Sequence, residues 1–196
     1  MKIYLVASPR IVFEDPEVFR KIHRHLAKDH KMLSEMLLRW TDPNRKEKKA
    51  EDVLTMSHEE IVKRVKQSVE TLKKADVVIM EISGHSMSMG YLTAKALEFG
   101  KPVIYIQREI SQPHWMEGLD DPKLSSYKYT NENVTEILDQ AIAKAKDLID
   151  VRFNFFVSSK ILNYLDWVSQ KRMEPRAVFL RSIIEKEMKR EREFKG

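Results

Sequence analysis

At 196 residues, with 42% hydrophobic and 33% charged side chains, the chain has enough apolar material for one α/β domain of ordinary size plus a small appendage, and too much for a disordered polymer. The lack of cysteine excludes a disulfide framework, a thiolate zinc site and a cysteine nucleophile. The formal net charge of +5 is unevenly spread: residues 151–196 hold 11 Lys and Arg against 6 Asp and Glu, leaving 24 against 24 in residues 1–150.

KIYLVAS, residues 2–8, is a short apolar run with β-branched and aromatic members, and predicts a buried first strand. A helix is expected from Pro16 to about His30, and KMLSEML, residues 31–37, reads as a second strand. TDPNRKEKKAED, residues 41–52, reads as a polar connection. Ser57 followed by Glu60 has capping-box spacing, and Ile61, Val65, Val69 and Leu72 recur at helical intervals up to Ala75.

DVVIMEI, residues 76–82, is the clearest buried strand. A Gly/Ser turn follows, then a helix from about Met89 to Phe99 closed by Gly100, and a further strand at KPVIYIQ. An irregular stretch runs to Ser126, with a short strand expected at YKY and a helix from about Asn133 to Ile149. This alternation predicts a doubly wound, mostly parallel Rossmann/flavodoxin-like sheet over residues 1–150.

The pattern changes from Val151. RFNFFVS alternates as a strand, with Arg152, Asn154 and Phe156 on one face and Phe153, Phe155 and Val157 on the other. Ser159 is expected to cap a first helix with Ile161, Leu162, Leu165 and Val168 as its apolar stripe, and Pro175 to open a second carrying Ala177, Leu180, Ile184 and Met188. So short a segment cannot bury a core alone, which predicts a homodimer or higher even oligomer. Its basic balance favours a polyanionic partner, or else a solvated helical surface.

In a doubly wound sheet the ligand crevice lies beyond the carboxyl ends of the strands, so the turns after KIYLVAS and DVVIMEI are expected to converge there. SGHSMSMG, residues 83–90, supplies Ser83, Gly84, Ser86, Ser88, Gly90 and backbone N–H groups at a helix start, where the dipole favours an anion. Ser and Gly also serve there as simple caps. Arg10 is expected opposite this turn.

These motifs resemble the nucleoside 2-deoxyribosyltransferase superfamily, particularly its branch of 2′-deoxynucleoside 5′-monophosphate N-glycosidases. KIYLVASPR is similar to that branch's Tyr-x-x-x-Ser-x-Arg opening, which implies Tyr4, Ser8 and Arg10 in the pocket. ADVVIMEISGHSMSMGY is similar to its second motif, carrying over Asp76, Glu81, Ser86, Gly90 and Tyr91. The resemblance implies a nucleotide or nucleoside ligand whose 5′-phosphate is held by Ser86 and the N–H groups after it, with Ser88 alongside. The family's catalytic Glu follows Gly-Tyr directly, where this chain has Leu92, and its other functional Asp aligns with Ser68. Leucine and serine supply neither a nucleophilic carboxylate nor an acid.

RFNFFVSSKILNYLDWVSQKRMEPRAVFLRSIIEKEM resembles a ribbon-helix-helix domain, which implies a dimer whose paired strands enter the major groove of double-stranded DNA. Arg152 and Asn154 would then read base edges, and the helix start near Arg176 would clamp phosphate. Phe156 on the outward strand face and Glu174 at the clamp depart from that pattern.

His23, His25 and His30 read as surface histidines, His85 as a loop histidine in the ligand turn, and Trp115 and Met116 as packing in the irregular stretch. No cofactor or metal is expected. Nothing in the sequence approaches the roughly 20 apolar residues that span a bilayer, and the N-terminus lacks a signal-peptide stretch, so a cytoplasmic protein is expected. The expected function is a nucleotide-sensing DNA-binding regulator with a catalytically degenerate deoxyribosyltransferase-like domain. The alternatives are a deoxyribosyltransferase or N-glycosidase using Glu81 or Glu98 as substitute acids, and a scaffold with a dimerising tail.

Overall fold

The computed structural model describes residues 1–46, 49–84, 86–110, 118–149, 155–191 and 193. They fall into two compact units, Met1–Asp150 and Val151–Gly196.

The first unit is built on a five-stranded sheet in the order β2-β1-β3-β4-β5, with every pairing parallel. Its strands are β1 (Lys2–Ala7), β2 (Lys31–Met32), β3 (Val77–Glu81), β4 (Val103–Arg108) and β5 (Leu124–Tyr129). This is the flavodoxin-like order: the chain leaves β1 for β2 on one side, then crosses back to place β3 on the other. Successive residues of a strand point to opposite faces, so the sheet builds two cores. Ile3, Leu5, Val77, Ile79, Ile104 and Ile106 belong to one, with α1 (Pro9–Glu14), α2 (Pro16–Asp29), α3 (Met36–Thr41) and α7 (Val134–Lys146) packed on it. Tyr4, Val78, Met80, Val103 and Tyr105 belong to the other, covered by α5 (His58–Lys74) and α6 (Met87–Glu98). All five residues of β3 are buried, as expected of a central parallel strand covered on both faces. Each fully buried Val, Ile or Leu contributes about 1.5–3 kcal/mol.

The capping box forms as expected: the Glu60 N–H donates to Ser57 Oγ at 3.2 Å and the Ser57 N–H donates to Glu60 Oε2 at 2.8 Å, fixing the start of α5. Gly100, at φ 67°, ends α6 in the left-handed region that favours glycine.

Four points differ from expectation. KMLSEML is a strand only at Lys31 and Met32, which pair with Lys2 and Ile3; α3 then begins at Met36. Leu33, Met36, Leu37 and Trp40 lie at helical spacing, and burial of Leu37 and Trp40 overrides the β-like look of the segment. The polar connection contains α4 (Ala50–Leu54), anchored by buried Ala50. α1 starts directly after Ser8 because Pro9 suits a first helical turn and Ile11 and Val12 bury against the sheet. The last strand is also longer than YKY, beginning at Leu124.

In the second unit, α8 (Ser159–Arg172) and α9 (Arg176–Arg190) pack through a small core of Leu165, Val168 and Phe179, with Leu180 against it. Ser158, rather than Ser159, caps α8 by accepting from the Ile161 N–H, and Pro175 is the N-cap of α9 rather than its first residue. Residues 155–158 form no strand within the chain, and the rest of the expected ribbon, including Arg152 and Asn154, lies outside the described residues. No helix among the described residues is long and apolar enough to cross a membrane.

Met173 ends α8 at φ 52° and ψ 39°, a left-handed conformation costly for a residue with a Cβ, and its side chain is almost fully exposed. Met173→Gly is therefore expected to stabilise the second unit by about 1 kcal/mol. A rise in the denaturant midpoint of its unfolding would bear this out; a fall would show that Met173 contributes packing that outweighs the backbone cost.

Candidate ligand cavity at the reversal of strand order

β1 and β3 are neighbours with Ala7 opposite Glu81, so the turns that follow them emerge side by side where the strand order reverses. A cavity of about 220 Å³ opens there, lined by β1, the starts of α1 and α6, the first half of α5, and the α3 and α4 segments. Tyr4 and Val6 reach it from one face of β1, and Ser8 from the N-cap of α1. Ser86 and Ser88 enter from the start of α6, with Leu92 one turn further on and Tyr91 partly exposed. From α5 come Ile61, Arg64, Val65 and Ser68, so the first half of its apolar stripe forms a cavity wall, whereas Leu72 is core.

The polar groups of this cavity are six hydroxyl-bearing side chains, Tyr4, Ser8, Ser68, Ser86, Ser88 and Tyr91, and one guanidinium, Arg64; no carboxylate is among its described lining residues. Burial pushes the Tyr4 hydroxyl pKa up, with Ser68 and Arg64 partly offsetting the rise. Arg64 lies over the Trp40 ring at 5.0 Å and donates to the Met36 and Met56 sulfurs at 3.0 and 3.3 Å. Desolvation holds its guanidinium below the ordinary arginine value.

Ser86 occupies the N-cap of α6, but its side chain makes no cap hydrogen bond. Its hydroxyl lies 2.9 Å from that of Ser88, and both line the cavity. Ser57 and Ser158 do cap their helices, whereas Ser86 does not act as a simple cap. The first-turn N–H groups of α6 thus lack a side-chain acceptor from the cap, an arrangement suited to an anion. α6 is held on the sheet by a buried chain in which the Tyr105 hydroxyl donates to Thr93 Oγ1 at 2.8 Å and Thr93 donates to the Met89 carbonyl at 2.9 Å.

Glu81 is fully buried and lines neither this cavity nor the next. It accepts from the Ser83 hydroxyl, from the Ser83 N–H at 3.3 Å and from the Tyr129 hydroxyl at 3.1 Å, while Ser83 Oγ accepts from the Arg108 N–H at 2.7 Å. This network ties the turn after β3 to β4 and β5. Glu98 is exposed at the far end of α6 and pairs with Lys95 at 2.6 Å. Neither carboxylate stands where a ligand in the cavity would meet it.

The other expected site residues divide. Arg10 does face the turn after β3, but from an adjoining hollow of about 440 Å³ that it lines with Ser8, Glu14, Ser83, Gly84 and Arg108. Gly90 lies on α6 and is not a lining residue. A Cβ on Gly84 would come within 2.6 Å of the Ile11 side chain, so this glycine permits the close approach of the turn to α1. His23 is buried rather than on the surface, and burial lowers its pKa; its Nε2 lies 3.8 Å from Glu35. His85, Trp115 and Met116 lie outside the described residues. Arg176 is ion-paired with Asp166.

Trp40, Met36, Met56 and Arg64 are cavity residues that the sequence reading missed. Arg64 left a signal: a charged residue at helical spacing inside the stripe of Ile61, Val65 and Ser68.

No family model matches the chain, and no curated protein matches it. Among solved structures it is similar to the Clostridium botulinum CMP N-glycosidase BcmB, with a TM-score of 0.50 and 14% identity, over 71% of this chain and 99% of that one. At that identity the likeness concerns the fold alone, a five-stranded parallel α/β sheet flanked by helices.

Burial raises the Glu81 pKa above the usual carboxyl range, and hydrogen bonds from Ser83 and Tyr129 and the charge of Arg108 only partly offset it. The folded state therefore holds its proton more tightly than the unfolded chain does. Its contribution is complete below the ordinary carboxyl range and is lost as pH rises through the raised value. Chemical denaturation followed from acid to neutral pH should show this loss in the wild type and a flatter profile in Glu81→Gln. An unchanged slope in the variant would contradict the assignment.

Proposed function

We propose that the first unit binds a nucleoside monophosphate in the cavity between β1, α5 and α6 and leaves its glycosidic bond intact. One observation carries the reading: the cavity offers hydroxyls, an uncapped helix start and a guanidinium, and no carboxylate among its described lining residues. Ser86, Ser88 and the first-turn N–H groups of α6 suit the phosphate, with Ser8, Tyr4 and Tyr91 available to sugar and base. Cleavage of a glycosidic bond builds positive charge on the sugar, which a nearby carboxylate stabilises. Leu92 and Ser68, at the positions where the family resemblance places the acids, supply no such charge.

Calorimetric titration with deoxynucleoside monophosphates is expected to give saturable binding, and chromatography of the same mixtures no free base. Ser86→Ala combined with Ser88→Ala should weaken binding by about tenfold, the worth of one or two hydrogen bonds to a charged group. Glycosidase or transferase activity is the second reading, favoured by the fold shared with a CMP N-glycosidase. Release of free base that vanishes on Glu81→Ala or Glu98→Ala would establish it in place of the first.

We infer further that the second unit joins two copies of the chain. Phe156, Trp167, Ile184 and Val178 are all exposed around a core of three buried residues, far too little to stabilise two helices alone. Sedimentation is expected to show an even oligomer that shifts toward monomer in Ile184→Glu; a wild-type monomer at micromolar concentration would contradict the pairing. The basic balance of residues 151–196 makes double-stranded DNA the partner to test on that dimer, and with it the regulator reading. Arg176, engaged by Asp166, is not a free phosphate clamp. Salt-dependent retention of a labelled duplex is the result that would support DNA as a partner.

A further inference from the structure

Arg64 is the one formally charged side chain among the described residues lining the cavity, and its partners are poor ones. Thioether sulfurs are weak acceptors, and the Trp40 ring offers only its quadrupole; among the described residues no carboxylate forms an ion pair with the guanidinium. Two carboxylates come near. Glu35 and Glu70 share with Arg64 the lining of a neighbouring hollow, yet Glu35 faces His23 at 3.8 Å and Glu70 pairs with Lys73 at 2.7 Å. Position 68, one helical turn from Arg64, is where a carboxylate would pair with it, and it is a serine. A half-buried guanidinium without a counterion is destabilising unless something supplies the missing charge.

We propose that Arg64 is the specificity-determining residue of this cavity, and that the counterion it lacks is a phosphate monoester on the ligand. The proposal rests on the nucleotide reading above and narrows it: the site selects a phosphorylated nucleoside over the free nucleoside through a side chain of α5, in addition to the neutral groups at the start of α6. The guanidinium is held against Trp40 and the two methionines, so its orientation is set before the ligand arrives, and the fork of donors suits a phosphate.

The test compares wild type, Arg64→Met, Arg64→Lys, Ser68→Asp and, as a control in the adjoining hollow, Arg10→Met. Each is titrated with a deoxynucleoside and its 5′-monophosphate, and thermal unfolding is followed with and without inorganic phosphate. The wild-type preference for the monophosphate is expected to fall by at least about tenfold in Arg64→Met, with nucleoside affinity unchanged and part of the preference retained by lysine. Ser68→Asp should act like Arg64→Met by neutralising Arg64 from within, and Arg10→Met should behave as wild type. Both Arg64→Met and Ser68→Asp should unfold at higher temperature than wild type without phosphate, which a merely structural arginine would not produce. Equal loss of nucleoside and monophosphate affinity, or a preference within twofold of wild type in Arg64→Met, would overturn the assignment. If the wild type binds no nucleoside compound, the nucleotide reading fails by itself. Stabilisation by inorganic phosphate that Arg64→Met abolishes would then uphold the anion site, and its absence in the wild type would overturn that too.

Discussion

The parallel pairing of β1 with β3 is the constraint on which the first unit depends. It brings two chain segments separated by about seventy residues into register, with Ile3 through Ala7 opposite Val77 through Glu81, and aligns their carboxyl ends. The strand order reverses at this pair, so the helices that follow diverge to opposite faces and leave a gap that no backbone fills. Ser8 and Ser86 border that gap because of topology. The buried Glu81–Ser83–Tyr129 cluster and the Thr93–Tyr105 hydrogen bond then hold the second turn and its helix in place, fixing where the serines point.

The chemistry of the cavity follows from which charges are present. Hydroxyls and a helix start bind acceptors and anions, and an arginine stacked on a tryptophan adds a positive pole. These properties favour a ligand that brings negative charge and disfavour a reaction that builds positive charge within the ligand. The two carboxylates expected as substitute acids are engaged elsewhere, Glu81 within the turn network and Glu98 in a surface ion pair.

Much of this fold was legible because parallel strands covered on both faces are nearly continuous apolar runs, as VVIME and VIYIQR are. The capping box at Ser57 and the stop at Gly100 were equally readable, since each is a local signal with its own hydrogen bonds or backbone angle. KMLSEML, residues 31–37, departs from the expected strand because a two-residue strand is followed after three residues by a helix, and burial against the sheet decides where the helix lies. Among the residues lining the cavity, Ser8, Ser86, Ser88, Tyr4 and Tyr91 were named from motif and turn. Arg64 and its methionine and tryptophan neighbours were not, because they converge from α3, α5 and the link between α4 and α5, whose proximity is tertiary. Arg10 faces the turn after β3 as expected, and does so from the adjoining hollow.

A crystal structure of the protein with a deoxynucleoside 5′-monophosphate tests the central claim most directly. The account predicts an intact ligand, its phosphate bonded to Arg64 and to the start of α6, with no carboxylate within hydrogen-bonding distance of the sugar. A glutamate or aspartate at the anomeric carbon, or a vacated base with the sugar phosphate left behind, would contradict it.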